Sequence, residues 1–301
     1  ACQSATMRCV DGPCLLSCQT GNQPCDSTTL DCGTNACTTA KIPNTSATAA
    51  SSGADMNGMA TKNACDILRE RLIDFAANHY QIPSEQIKFC DGQVQIGNRH
   101  ITFAELVQQA YMARVQLSAT GFYRTPHVYY DRESARGRPF FYFAYGAAIS
   151  EVAIDTMTGE NRLLQVDILH DVGKSLNPAI DKGQIEGGFV QGMGWLTTEE
   201  LVFSESGHLM THAPSTYKIP TCSDVPTRFT IDIWEKGYNK SPTIHRSKAV
   251  GEPPLMLAIS VFHAIADAIA SIGNYHHAAN LSAPATPEAI LRACDAMHHH
   301  A

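Results

Sequence analysis

The sequence predicts an α+β fold, because helical and strand signals fall in separate stretches of the chain. Apolar residues recur at helical spacing at Ala64, Ile67, Leu68, Leu72, Phe75 and Ala76. Residues 122–130, 140–155 and 162–170 instead alternate and are rich in aromatic and β-branched side chains, as antiparallel strands are. A third signal is the most apolar helical pattern of all, which follows Pro253-Pro254 and runs to about Ile272.

The first helix spans residues 55–79 and is stopped by Pro83. Residues 87–89 and 94–96, joined by Asp91-Gly92, read as a hairpin with a tight turn. Thr102 and Glu105 have capping-box spacing, so a second helix is expected over residues 103–117. After the aromatic strands, the last two joined by Thr156-Met157-Thr158-Gly159, comes a helix over residues 178–200 with glycines at 183, 187, 188, 192 and 194. Each interior glycine costs about 1 kcal/mol relative to alanine, so such a helix needs a close-packing reason. Gln191 on it either hydrogen-bonds a bound heterocycle or satisfies buried backbone groups. Short strands are expected at 201–203 and 228–234, and Thr286-Pro287-Glu288 begins a terminal helix.

A chain of 301 residues with 44% hydrophobic side chains can bury a real core. Its net charge of −7, without a dense Lys/Arg cluster, excludes a nucleic-acid backbone as the expected partner, and the aromatic segments read as sheet core rather than a base-stacking platform. No membrane partner is expected, since the 255–272 segment contains His263 and Asp267 and reads as a buried helix. The start shows no basic-then-apolar leader, which points to a cytoplasmic chain, and Ala1 in place of Met suggests a fragment or a processed chain.

Cys2, Cys9, Cys14, Cys18, Cys25, Cys32 and Cys37 crowd one end. They lack paired C-x-x-C units, histidine neighbours and ferredoxin-like spacing, so residues 1–32 are expected to lie outside the fold, as a frame error or chimeric end would. The expected domain is 33–295, followed by a tail, 296–301, whose histidines are solvated.

Two stretches carry the chemistry. Pro43-Asn44-Thr45-Ser46-Ala47-Thr48-Ala49-Ala50-Ser51-Ser52-Gly53 is built of small and hydroxyl side chains, which suits a linker or a loop that approaches a ligand closely. Lys248-Ala249-Val250-Gly251-Glu252-Pro253-Pro254-Leu255 holds an acid on stiff backbone at a helix start. Glu252 there can serve as a general base near neutral pH, or it can simply favour the positive end of the helix dipole. His170 and Asp171 read as strand-end hydrogen-bonding residues, since no nucleophile stands at a recognisable spacing.

Those two stretches, with Tyr142-Phe143-Ala144-Tyr145-Gly146, Asp167-Ile168-Leu169-His170-Asp171-Val172-Gly173 and Gln184-Ile185-Glu186-Gly187-Gly188-Phe189-Val190-Gln191-Gly192, resemble the molybdenum-binding part of the xanthine dehydrogenase family over residues 33–295. The resemblance implies two similar sheet-and-helix units flanking a molybdenum–molybdopterin cofactor. It implies that Ala50 lies against the molybdenum with no direct protein ligand, and that Ser51, Ser52 and Gly53 cradle the pterin. Gln191 and Gly251 then contact the cofactor and Glu252 is the catalytic base. The implied activity is hydroxylation of hypoxanthine or xanthine at a heterocyclic carbon, with electrons passing to 2Fe-2S clusters, FAD and NAD on other domains or a partner chain of an oligomer. No iron–sulfur, FAD or nicotinamide signature occurs here, and the earlier half of the molybdenum region is missing, so the chain is expected to be a piece of the active enzyme. Alternatives are an aldehyde oxidase or another molybdenum hydroxylase, and a non-catalytic fragment without cofactor.

Overall fold

A computed structural model describes Ser51 and residues 53–298; earlier in the chain it describes only the strands β1 (Cys2–Arg8), β2 (Leu15–Thr20), β3 (Thr28–Cys32) and β4 (Asn35–Thr38). These four form a sheet of order β2-β1-β3-β4, in which β1 and β3 are parallel and the other pairs antiparallel. They belong to a unit, Ala1–Thr48, distinct from the unit Ala49–Ala301.

Within the larger unit, a π-helical turn at Gly53–Gly58 leads into α1 (Met59–Tyr80). The helix ends before Pro83, at Gln81, whose left-handed backbone (φ 55°) lets the Ile82 N–H bond back to Ala77. Strands β5 (Ile87–Cys90) and β6 (Gln93–Ile96) form the expected hairpin, with Asp91 and Gly92 both at positive φ. A third strand, β7 (Arg99–Thr102), extends it to a meander that the sequence reading missed. Thr102 then caps α2 (Phe103–Met112) with a complete capping box. This helix is shorter than expected because Arg114 turns left-handed (φ 61°), although Val115 and Leu117 still pack onto the core beyond it. Leu72, Ala76, Val94, Ile96, Leu106 and Ala110 make that core.

Residues 116–122 form a strap along α1. Arg71 donates to the Ser118 carbonyl at 2.7 Å and Asn63 to that of Phe122 at 2.7 Å. Gly121 packs so tightly that a Cβ there would fall 1.8 Å from the Ala60 carbonyl oxygen. The strap aims the chain from the first helix–sheet unit towards Tyr123.

Most of 122–130 is therefore irregular, and only β8 (Tyr129–Asp131) with β9 (Arg136–Arg138) forms a short hairpin. Residues 140–145 are also irregular, and the principal sheet starts at β10 (Gly146–Ile154), antiparallel to β11 (Asn161–His170). The third strand, β12 (Arg228–Ile233), runs parallel to β11, so an all-antiparallel sheet is not what forms. A parallel pair needs a crossover, and α3 (Pro178–Thr197), capped by the Asn177 side chain, lies within it. The expected strand at 201–203 is reduced to one bridge, Phe203 to Leu209.

A 3-10 turn, Pro253–Ala258, precedes α4 (Ile259–Ile272), and α5 (Pro287–His298) closes the unit. The stretch Pro253–Ile272 is long and apolar enough to cross a membrane by length and composition alone. In this fold its residues Val261, Ile265 and Ile269 join Val166, Ile168, Ile185 and Phe189 in the second core. Helix α5 runs through Met297, which is buried, and so carries the first residues of the expected tail. Two sheet-and-helix units with separate cores thus realise the α+β class.

Candidate active site

Segments distant in sequence meet at a cleft of about 550 Å³. Its lining includes Ser51 and Asp55 from the start of the larger unit, Tyr123 from the strap, Phe140, Phe141 and Tyr142 from the stretch before β10, and Ala249, Glu252 and Pro253. Of the residues selected from the sequence, Ser51 and Glu252 are thereby brought together. Gly53 opens the adjoining π-helical turn, with nothing within 4 Å of where a Cβ would stand. Ala50 and Ser52 lie outside the described residues.

Glu252 is exposed and directly precedes the 3-10 turn, yet its side chain makes no capping hydrogen bond. Its backbone carbonyl accepts from Leu255 at 3.0 Å, and the residue is among those that line the cleft.

The segment before Glu252 is tied down residue by residue. The Ser247 carbonyl accepts from Asn239 at 3.0 Å and from Thr243 at 2.6 Å, and the Lys248 N–H donates to Val172 at 2.8 Å. Lys248 Nζ forms an ion pair with Asp171 at 2.5 Å and lies 5.1 Å from the centre of the Tyr145 ring. Asp171 also accepts from the Gly173 N–H at 2.8 Å, so it is the hydrogen-bonding residue expected at a strand end. His170 is different: it is buried, its Nδ1 has no hydrogen-bond partner among the described residues, and burial pushes its pKa down.

Helix α3 supports Glu252 from behind. A Cβ at Gly188 would stand 3.2 Å from Pro254 and 3.4 Å from the Gly251 carbonyl, and one at Gly192 only 2.3 Å from that of Leu255. The close approach expected of the glycines is thus partly to the chain's own Glu252 segment. Gln191 is exposed on α3, and the cleft's lining residues do not include it.

Tyr142, Asp55 and Tyr123 were not selected from the sequence. Tyr142 donates to Asp55 through its hydroxyl and accepts from the Ala249 N–H at 2.7 Å. Burial raises the Asp55 carboxyl above its ordinary range, opposed by that hydrogen bond. Burial, then the Asp55 carboxylate, push the Tyr142 phenol up, and the same two causes raise Tyr123. The signal for Tyr142 is the Tyr142-Phe143-Ala144-Tyr145 run, which reads as strand, and Tyr123 falls in the aromatic stretch 122–130, which reads the same way.

Ser51 Oγ and Asp55 Oδ1 are buried without a hydrogen-bond partner among the described residues. Orphaned polar atoms on a cleft wall want a polar ligand, since a buried unpaired group costs about 1–3 kcal/mol. A pterin edge, rich in donors and acceptors, fits that requirement. A second cleft of about 440 Å³, lined in part by Arg162, Pro220 and Asp224, contains none of the residues selected from the sequence.

Residues 32–226 match the molybdopterin cofactor-binding domain family. The chain is 48% identical over 256 residues to xanthine dehydrogenase/oxidase of Gallus gallus, covering 84% of this chain and 17% of that protein. It is 44% identical over 260 residues to aldehyde oxidase 2 of Macaca fascicularis, covering 85% and 18%. The chain therefore spans less than a fifth of the length of these curated relatives. Among solved structures, quinoline 2-oxidoreductase from Pseudomonas putida 86 superposes with a TM-score of 0.63 at 29% identity, covering 76% of this chain and 28% of that one. These matches place the chain in the molybdopterin cofactor-binding domain family, as a cofactor-binding portion of the xanthine oxidase type.

Proposed function

We propose that this chain forms the molybdenum-site portion of a xanthine dehydrogenase, which hydroxylates hypoxanthine or xanthine at a heterocyclic carbon. The observation that carries the proposal is the meeting of Ser51, Asp55 and Glu252 on one cleft. When bound, the molybdenum–molybdopterin cofactor supplies the oxygen-transfer and electron-accepting chemistry. Ser51 Oγ and Asp55 Oδ1 are the buried polar atoms without a partner that would meet its polar edge. The family resemblance, rather than the cleft lining, is what assigns further cofactor contacts to Ala50, Ser52, Gly53, Gly251 and Gln191. Tyr123, Phe140 and Phe141 wall the cleft with aromatic surface, which excludes water and suits a flat heterocycle. At its carboxylate oxygens, Glu252 accepts the proton released as the oxygen nucleophile attacks the ring carbon.

In this reading the 2Fe-2S clusters, FAD and NAD site reside on other domains or on a partner chain of a cytoplasmic oligomer. The remaining half of the molybdenum region closes the cleft. The aldehyde oxidase relative at 44% identity supports a second reading, in which the substrate is an aldehyde.

The test is Glu252→Gln in an enzyme assembled from this chain and its complementary portions. Glutamine keeps the shape but cannot take the proton, so molybdenum content should hold while reduction by xanthine slows at least ~100-fold. Glu205→Gln, in an exposed turn, is the control and should match the parent. Parent-rate reduction in Glu252→Gln would refute the base assignment, and turnover of aldehydes but not xanthine would select the second reading. An assembly that never takes up molybdenum would make the chain a non-catalytic fragment.

A further inference from the structure

The Tyr142 hydroxyl stands where two parts of the candidate site join. On one side is Asp55, in the turn Gly53–Gly58 that leads into α1; on the other is Ala249, three residues before Glu252. From these contacts we infer that Tyr142 is a positioning residue, which fixes the segment carrying Glu252 against the loop that holds the cofactor. The inference rests on the reading of Glu252 as the base.

The direction of the relay follows from chemistry. A carboxylate oxygen can only accept, so the phenol proton points to Asp55 and an oxygen lone pair is left for the Ala249 N–H. Each bond therefore fixes the orientation of the other. Ser247 and Lys248 are anchored to Asn239, Thr243, Val172 and Asp171, all around the principal sheet. At Ala249 the anchor changes to the Asp55–Tyr142 pair, and the chain then enters the 3-10 turn at Pro253. A ring with two rotatable bonds is a stiff spacer, so the separation of cofactor loop and base is set by one side chain. Phenylalanine would keep the ring but strand both the Ala249 N–H and the Asp55 carboxylate.

Amide hydrogen exchange on the 301-residue chain tests the clamp directly. In Tyr142→Phe the Ala249 amide should exchange about tenfold faster, the scale set by one hydrogen bond, while Lys248 keeps its parent protection. Asp55→Asn retains an oxygen acceptor for the phenol and should keep Ala249 slow. Should Tyr142→Phe not fold, Asp55→Ala, which removes the acceptor, carries the same expectation of faster exchange. In the assembled enzyme Tyr142→Phe should lower kcat about tenfold with KM and molybdenum content unchanged, because alignment is lost rather than binding. Parent exchange at Ala249 would overturn the clamp, and faster exchange with parent kcat would overturn the positioning role. Glu252→Gln measured in the same assembly separates the two claims: parent turnover there sinks the base assignment, while the exchange result still decides the clamp.

Discussion

Gly192 of α3 and Leu255 of the turn after Glu252 touch so closely that a Cβ at 192 would fall 2.3 Å from the Leu255 carbonyl oxygen. Backbone cannot yield as a flexible side chain does. Gly192→Ala should therefore destabilise the chain by about 1–3 kcal/mol, as overpacking does, and displace the Pro253–Ala258 turn. Gly187, with nothing within 4 Å of its missing Cβ, is the contrast. Gly187→Ala should stabilise by about 0.5–1 kcal/mol, the helix preference of alanine over glycine. Denaturant unfolding of both variants checks this, and equal effects would contradict the packing account.

The close packing at Gly188, Gly192 and Gly194 was legible in the sequence because several glycines in one helix call for a near neighbour, whereas Gly183 and Gly187 have nothing within 4 Å. The placement of Glu252 was legible for a similar local reason, since prolines and glycine fix the backbone around it. What could not be read were non-local pairings. The parallel partnership of β11 with β12 depends on a crossover that brings Arg228 back beside Gln165, and no local pattern encodes it. Tyr142 alternates with its neighbours as a strand residue would, yet it lies in irregular chain with its hydroxyl bound to Asp55 and Ala249. Periodicity reports which side chains share a face, not whether that face is core or cleft.

The Lys248–Asp171 pair should be a principal support of the site. Its side chains are only 8% and 17% exposed. Lys248→Met removes one charge and leaves the Asp171 carboxylate without its cation, which should cost about 3–5 kcal/mol in chemical denaturation. Replacing both, Lys248→Met with Asp171→Leu, should cost less than either single change, because no unpaired charge then remains. A double variant as unstable as the sum of the singles would show that the pair acts through packing instead.

Asp55 gives a pH signature. Its carboxyl is raised above 3.8 by burial, so folding favours the protonated form. The stability it contributes is full below 3.8 and is lost as pH rises through the folded-state value. Once ionised, the buried carboxylate is thus a burden on folding. Asp55→Asn should raise the thermal midpoint relative to the parent at pH 7, with the advantage vanishing as pH falls below 3.8. A variant less stable than the parent at every pH would mean that the Tyr142 hydrogen bond outweighs the burial cost.

Gln191 separates a cofactor role from a structural one because of where α3 places it. The side chain is exposed, one turn beyond exposed Gly187 and one turn before Trp195, which is 57% exposed. A glutamine that satisfied buried backbone groups would be enclosed, and its loss would destabilise the fold. Gln191→Ala should instead leave the unfolding midpoint of the isolated chain unchanged within about 0.5 kcal/mol, as surface substitutions do. If the proposed cofactor contact is right, the same change in the assembled enzyme should cost about 0.5–1.5 kcal/mol of cofactor binding, and more if a buried cofactor atom is left unpaired. Molybdenum retention during dialysis should fall before turnover per molybdenum does, since the base and its clamp are untouched. The two measurements are independent, so each possible role has its own outcome. An unchanged midpoint with weakened retention assigns Gln191 to the cofactor, whereas a lowered midpoint with parent retention assigns it to the fold.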